Sequence, residues 1–339
     1  MSDNPRNLPL ANLLVANLLV AESLGTKSLG TDTLEAKPLV ASDIVGFATQ
    51  ENFPVALRVL RKPLRQDLLA LYGFARFVDN LGDDPIDASG SPRSREDRLV
   101  DLDAAEYELD RAADGTAVNE IFIRLGETMR RCQLGREDFV KLIDANRLDQ
   151  IKSRYETWDD LMGYCELSAN PVGKIVLAIF EADAKQNTRQ KARQNTRQNI
   201  TSPDNIALSD KICSALQVAE HLQDIGEDFR AGRIYLPQDH CERFGCSEDD
   251  IAMSVERSIT AYCLRKLVLF EAKQARQILN AGTPLIAKLR GGQRLAMIGF
   301  VAGGHAALDV VEAAGGEVLT EQCVATKSRQ ASRALRLLI

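Results

Sequence analysis

Strand-forming sequence is nearly absent from these 339 residues. No sustained two-residue alternation of Val, Ile, Thr and aromatic side chains is bounded by turn pairs, which excludes a β-rich fold. No apolar run reaches the roughly 20 residues that a membrane-spanning helix needs. The seven cysteines, at 132, 165, 213, 241, 246, 263 and 323, form no Cys-x-x-Cys pair and no Cys/His ligand spacing. That excludes a zinc module and a disulfide framework, and points to reduced, buried thiols in a cytoplasmic protein. No Gly-rich loop lies between a strand and a helix, so no NADPH site is expected. Cations are not in excess either: the net charge is −6 and the pI near 5.4, which argues against general nucleic-acid binding.

What is plentiful is helical periodicity, in a chain that is 45 % apolar. The three- and four-residue spacing predicts helices over 64–83, 95–113, 118–132, 136–151, 157–167 and 171–182. Ser42 reads as the first N-cap. Ser247 with Asp250 has capping-box chemistry and opens a helix expected to run to Asn280, before Gly282. A further apolar helix is predicted over 292–314.

Two segments stand apart. Residues 10–20, LANLLVANLLV, repeat themselves and continue into SLGTKSLGTDTL. One Arg beside Asp3 and no small-residue cleavage site speak against a signal peptide. Residues 1–41 are read as a low-complexity, poorly ordered extension, with a peripheral membrane contact as the alternative. Residues 184–200 contain QNTRQ twice and carry five cations. They have too little apolar surface to offset ordering entropy, so they read as a polar loop insertion. A basic RNA-binding arm is the sharper alternative. One all-α domain, 42–325, remains, followed by a basic tail over 326–339.

The chemistry concentrates in two acidic segments about 145 positions apart. In the first, Asp79 and Asp83 lie one helical turn, about 6 Å, apart on one face, with Arg76 and Tyr72 behind them. In the second, Asp224 and Asp228 repeat the spacing, extended by Glu220 and Gln217. Like charges at this spacing repel. Hard oxygen ligands that only partly fill a coordination shell suit Mg²⁺, with a substrate phosphate completing it. A solvated face explains one such pair; two pairs, each in an otherwise apolar helix, favour metal binding. The turn that follows, Phe229 to Pro237, places Arg233 where it can pair with phosphate.

From about Glu51 to Leu319, interrupted at 184–200, the chain resembles the squalene/phytoene synthase family. The resemblance is carried by Arg76-x-x-Asp79-x-x-x-Asp83, by Tyr164-Cys165 with Val172-Gly173, by Gln223-Asp224-x-x-x-Asp228, and by Gly232-Arg233-x-Tyr235-Leu236-Pro237. Within the family it is most similar to bacterial hydroxysqualene synthases of the hopanoid pathway, through Glu51 to Ala56, Asn146-Arg147-x-Asp149-Gln150 with Arg154-Tyr155, Ser168 to Gly173, and Glu220 to Asp224. Family members that condense two prenyl chains usually have Asn at the position of Glu220 and Arg at that of Gln223.

The resemblance implies an isoprenoid-synthase-type helical bundle around a deep apolar cavity. It implies that Asp79, Asp83, Asp224 and Asp228 hold two or three Mg²⁺ ions with the substrate diphosphate. Phe53, Arg76, Arg233 and Tyr235 would bind substrate. Tyr164, Glu220 and Gln223 would act at the reacting centre, Glu220 by orienting the attacking water, and Phe53, Phe74 and Tyr164 would face the cation. The implied substrate is presqualene diphosphate, ionised, rearranged and captured by water to give hydroxysqualene. A presqualene diphosphate synthase and a hydroxysqualene reductase would be the functional partners of a cytoplasmic or membrane-associated enzyme. Condensation of two prenyl diphosphates is the first alternative, and a non-catalytic helical assembly partner the second. Asn80 departs from the family pattern, which has Asp there. It points about 100° away from Asp79 on the helix, so the Asp79/Asp83 pair is unaffected. His221 and His305 read as packed or surface residues rather than bases.

Overall fold

The computed structural model describes residues 60–86, 91–190 and 199–319, with Arg333, Arg336 and Leu337. Phe53, the motif beginning at Glu51, Ser42 and the 1–41 extension lie outside the described residues, as does most of the 326–339 tail. The helices are α1 (Lys62–Asp83), α2 (Arg95–Asp114), α3 (Glu120–Cys132), α4 (Glu137–Asp149), α5 (Trp158–Ser168), α6 (Asn170–Gln190) and α7 (Pro203–Gln223). They continue as α8 (Ile225–Arg230), α9 (Gln238–Phe244), α10 (Glu248–Arg257), α11 (Tyr262–Gly282), α12 (Leu285–Lys288) and α13 (Gly291–Ala313). Among the described residues an isolated antiparallel bridge, Ile86 to Pro92, is the one β feature.

Local chemistry sets the helix ends. Ser94 and Ser247 each form a reciprocal capping box, with Asp97 and Asp250. Asn119, Thr157 and Ser202 cap α3, α5 and α7 by accepting a backbone N–H, each typically stabilising by about 1 kcal/mol.

Two expectations change. The single helix expected from Ser247 to Asn280 is two helices, because Ser258 takes a left-handed φ of 53° and ends α10. The turn is held by Thr260, whose hydroxyl and N–H both donate to Glu317. The insertion expected as a loop over 184–200 begins as helix instead, since α6 runs on to Gln190. Lys185 pairs with Glu181 one turn back, and Ala, Gln, Lys and Arg are adequate helix formers. At the far end Ile200 is fully buried, and Thr201 donates its N–H and hydroxyl to Glu181.

One continuous apolar core joins these helices. Helix α7 packs most extensively on α11, and also on α6 and α13, while α1 packs on α2, α3, α4 and α6. Phe74 sits edge-on to Phe122 and Phe139, at 5.7 and 5.4 Å between centroids. It is a core residue and not the cavity aromatic that was expected. Helix α13 is long and apolar enough to cross a membrane, but 78 % of its most apolar stretch is buried within the fold.

The α7–α11 approach depends on Gly282. A Cβ there would come within 2.6 Å of Ile212 Cγ1 and 2.8 Å of the Leu208 carbonyl oxygen. Gly282→Ala is therefore expected to destabilise by about 1–3 kcal/mol, read as a lower midpoint in urea unfolding.

His305, on α13, is buried beside Arg276, whose Nη1 lies 3.2 Å from His305 Nδ1. Burial, then Arg276 and Arg333, pushes its pKa down from 6.5 to about 4, against the acids Asp309 and Glu312. A depressed folded-state pKa means the stability is full above pH ~6.5 and is lost as pH falls towards 4. His305→Gln is expected to lose less stability than wild type between pH 7 and 5, as measured by urea unfolding at both values.

Candidate active site

The first acidic pair rides on α1. Asp79 is buried and accepts a hydrogen bond from Asn146 Nδ2 at 3.2 Å. Asp83, one turn on, is half-exposed and paired with Arg233 Nη1 at 2.9 Å. Gly82 makes room between them, because a side chain at that position would collide with Asn146. The second pair straddles a break: α7 ends at Gln223, Asp224 leaves helical geometry at φ −101° and ψ 10°, and α8 resumes with Ile225. The Asp228 N–H still donates to the Asp224 carbonyl at 2.9 Å, so the two carboxylates stay within one turn.

These pairs face each other across a cavity of about 310 Å³. Arg76, Asp79, Asn80, Asp83 and Asp84 of the first segment line it, with Gln217, Glu220, His221, Asp224, Glu227 and Asp228 of the second. Tyr164, Arg233 and Tyr235 complete the predicted set. Gln223 is not among the lining residues. At 100° per residue it is about 60° from Glu220 but about 120° from Gln217, at the edge of the acidic face and outside the lining. Ala75 of α1 with Leu142 and Ala145 of α4 supply an apolar part of the wall.

Asn146-Arg147-x-Asp149-Gln150 turns out to be the hub. Asn146 holds Asp79; Gln150 donates to the Gly82 carbonyl at 3.0 Å and accepts from Arg98 at 2.7 Å. Arg147 ties α4 to α2 through Asp103 and Glu106. Asp149 accepts from Tyr164 at 2.6 Å and from Tyr235 at 2.8 Å. The segment bearing Arg233 and Tyr235 is anchored beside it, since Ile234 N–H donates to the Ser153 carbonyl and Arg154 donates to the Gly232 carbonyl. The ring of His221 stacks on Tyr235 at 3.8 Å, and its Nδ1 is 3.6 Å from Asp228. Asp149, Asn146 and His221 were not singled out from sequence as site residues; the signal for the first two was the motif itself.

The electrostatics are strained. Burial pushes Asp79 and Asp149 each up to about 7, opposed by Asn146 and Arg76 at the first and by Arg233 and Tyr164 at the second. Burial, then Asp228 and Glu227, holds Asp224 well above the carboxylate range. Several carboxylates pressed together in one cleft suit a bound cation. Among the described residues no three His, Cys, Asp or Glu side chains are close enough to hold an ion alone. The donor set fits a hard divalent cation that takes one or two carboxylates per ion and fills its shell with substrate oxygens.

An all-α domain with two acidic helix faces across one cleft is the architecture of prenyl-diphosphate-processing enzymes. The model of the squalene/phytoene synthase family matches residues 48–329. The chain is 31 % identical over 242 residues to hydroxysqualene synthase of Sinorhizobium fredii, covering 71 % of this chain and 72 % of that protein. It is 30 % identical over 208 residues to presqualene diphosphate synthase of Rhodopseudomonas palustris, covering 60 % and 64 %. The crystal structure of squalene synthase HpnC from Alicyclobacillus acidocaldarius superposes with a TM-score of 0.64 at 34 % identity, covering 78 % of this chain and 89 % of that one. The chain belongs to the squalene/phytoene synthase family. It is an enzyme that acts on prenyl diphosphates, in a family that generally uses a divalent metal.

Proposed function

We propose that the chain is a hydroxysqualene synthase, which ionises presqualene diphosphate with Mg²⁺, rearranges the cation and captures it with water in hopanoid or squalene biosynthesis. The observation that carries this reading is Glu220, a buried carboxylate on the cavity wall on the same helix face as Gln217 and Asp224. A carboxylate there favours a cation over a second anionic diphosphate, which a condensing enzyme must admit. The likeness to hydroxysqualene synthase over 71 % of the chain supports it. Asp79, Asp83, Asp224 and Asp228 would hold two or three ions, with Arg76 and Arg233 on the diphosphate. Bound there, Mg²⁺ neutralises the charge that develops on the leaving diphosphate.

The likeness to presqualene diphosphate synthase favours a second reading, condensation of two prenyl diphosphates. A presqualene diphosphate synthase upstream and a hydroxysqualene reductase downstream would complete the pathway, and the lipid character of substrate and product fits a membrane-surface contact. Incubation with presqualene diphosphate and, separately, farnesyl diphosphate tests the reading with Mg²⁺ present. Hydroxysqualene from the first and no C30 product from the second is the expected result. The reverse pattern replaces it with condensation, and no turnover of either points to an assembly role.

A further inference from the structure

Asp149 closes α4, Tyr164 lies in α5 and Tyr235 follows α8. The Tyr164 hydroxyl donates to Asp149 Oδ2 at 2.6 Å and the Tyr235 hydroxyl to Oδ1 at 2.8 Å. One carboxylate thus takes one phenol on each oxygen. A phenol has a single proton; with Asp149 ionised both are committed to it, so the two hydroxyl oxygens offer only lone pairs to anything else. All three side chains line the cavity that Asp79, Asp83, Asp224 and Asp228 also line. Packing fixes their orientation: Tyr235 stacks on His221, at 3.8 Å and 13°, and on the fully buried Tyr155, at 5.5 Å and 22°. Tyr155 also packs on Tyr164 at 5.5 Å.

An acceptor-only pair is poorly suited to diphosphate, whose oxygens also accept. It suits a molecule that donates. A water that gives its protons to such oxygens turns its own lone pair away from them, into the cavity, where a carbocation would be attacked.

We propose that Tyr164 and Tyr235, oriented by Asp149, hold the water that captures the substrate carbocation, and that Asp149 is the final acceptor of its proton. This rests on the reading of the chain as an enzyme that ends in water capture. In the step, the water lone pair forms the C–O bond to the cationic carbon. One water O–H bond breaks and its proton passes to a phenol oxygen, while that phenol's own proton passes to Asp149. The products are an alcohol, a regenerated phenol and a protonated Asp149; nothing is oxidised or reduced. The tyrosines touch the reacting water and Asp149 acts through them. Glu220, to which sequence alone gave the water, is left to act on the cation by its charge.

The test uses the full chain with presqualene diphosphate and Mg²⁺ in ¹⁸O-enriched water, with two readouts: diphosphate released, and labelled alcohol formed per diphosphate released. Tyr164→Phe, Tyr235→Phe and the double variant are each expected to lower alcohol formation far more than they lower diphosphate release. The alcohol fraction should fall by about a hundred-fold in the double variant, the scale of a lost general base, with unlabelled alkenes in its place. Asp149→Asn should also lower the fraction, because its amide donates to one phenol and turns that hydroxyl's proton towards the cavity. An unchanged alcohol fraction in the double variant overturns the proposal. So does a parallel fall of diphosphate release and alcohol, which would assign these groups to ionisation. A wild-type chain that makes no alcohol at all counts instead against the reading of overall function, and is seen before any variant is made.

Discussion

Asp79→Ala or Asp224→Ala is expected to lower prenyl diphosphate turnover by at least about a hundred-fold, the scale on which a preorganised group at a developing charge acts. The two residues lie 145 positions apart in sequence and line the same cavity. Burial has pushed Asp79 to about 7 and Asp224 well above the ordinary range, so each costs the folded state something in the absence of a cation. A carboxylate kept at such a cost is explained by what it binds. Alanine removes the buried charge as well as the ligand, and neither residue caps a helix through its side chain. The far-UV circular dichroism should therefore match wild type. Turnover is compared at saturating Mg²⁺ so that a weakened but intact site is not mistaken for a lost one. Near-normal rates for either variant would sink the two-helix metal reading. A matching loss of helicity would shift the explanation to folding.

Asp79 and Asp83 were legible in the sequence because both sit inside one regular helix, where a four-residue spacing fixes a shared face. Asp224 and Asp228 were legible for the same reason, yet the break between them was not, since Asp224 carries no Gly or Pro signal for it. Ser258 repeats that lesson: a non-Gly residue at φ 53° splits a helix that periodicity alone runs through. Capping boxes are local and were readable, as Ser247 with Asp250 demonstrates. The phenol pair on Asp149 was not readable, because Tyr164 and Tyr235 reach it from elements 15 and 86 positions away. Only tertiary closure brings those three together. Gln223 fails in the opposite sense. Its place beside Asp224 in the motif makes it look like a site residue, but it sits at the edge of the acidic face, outside the cavity lining.

That difference between Gln223 and its neighbour at 220 gives the second large effect. Glu220→Gln keeps the shape of a buried side chain on the cavity wall and removes a negative charge. If the carboxylate stabilises the cation as the diphosphate departs, its loss acts on ionisation, before any water is engaged. A charge-assisted interaction is worth about 1.5–3 kcal/mol, so diphosphate release from presqualene diphosphate should slow by roughly ten- to a hundred-fold. The alcohol formed per diphosphate released should stay near wild type, because the phenols on Asp149 are untouched. Gln223→Arg, outside the cavity lining, is expected to change both quantities less than about two-fold, within ordinary surface-substitution effects. The double change Glu220→Asn with Gln223→Arg should then behave like Glu220→Asn alone. Product analysis by mass-resolved chromatography at equal Mg²⁺ decides the matter. Unchanged diphosphate release in Glu220→Gln removes Glu220 from the chemistry. An effect in Gln223→Arg as large as that at 220 would mean that Gln223 reaches the substrate from a position the cavity lining does not include.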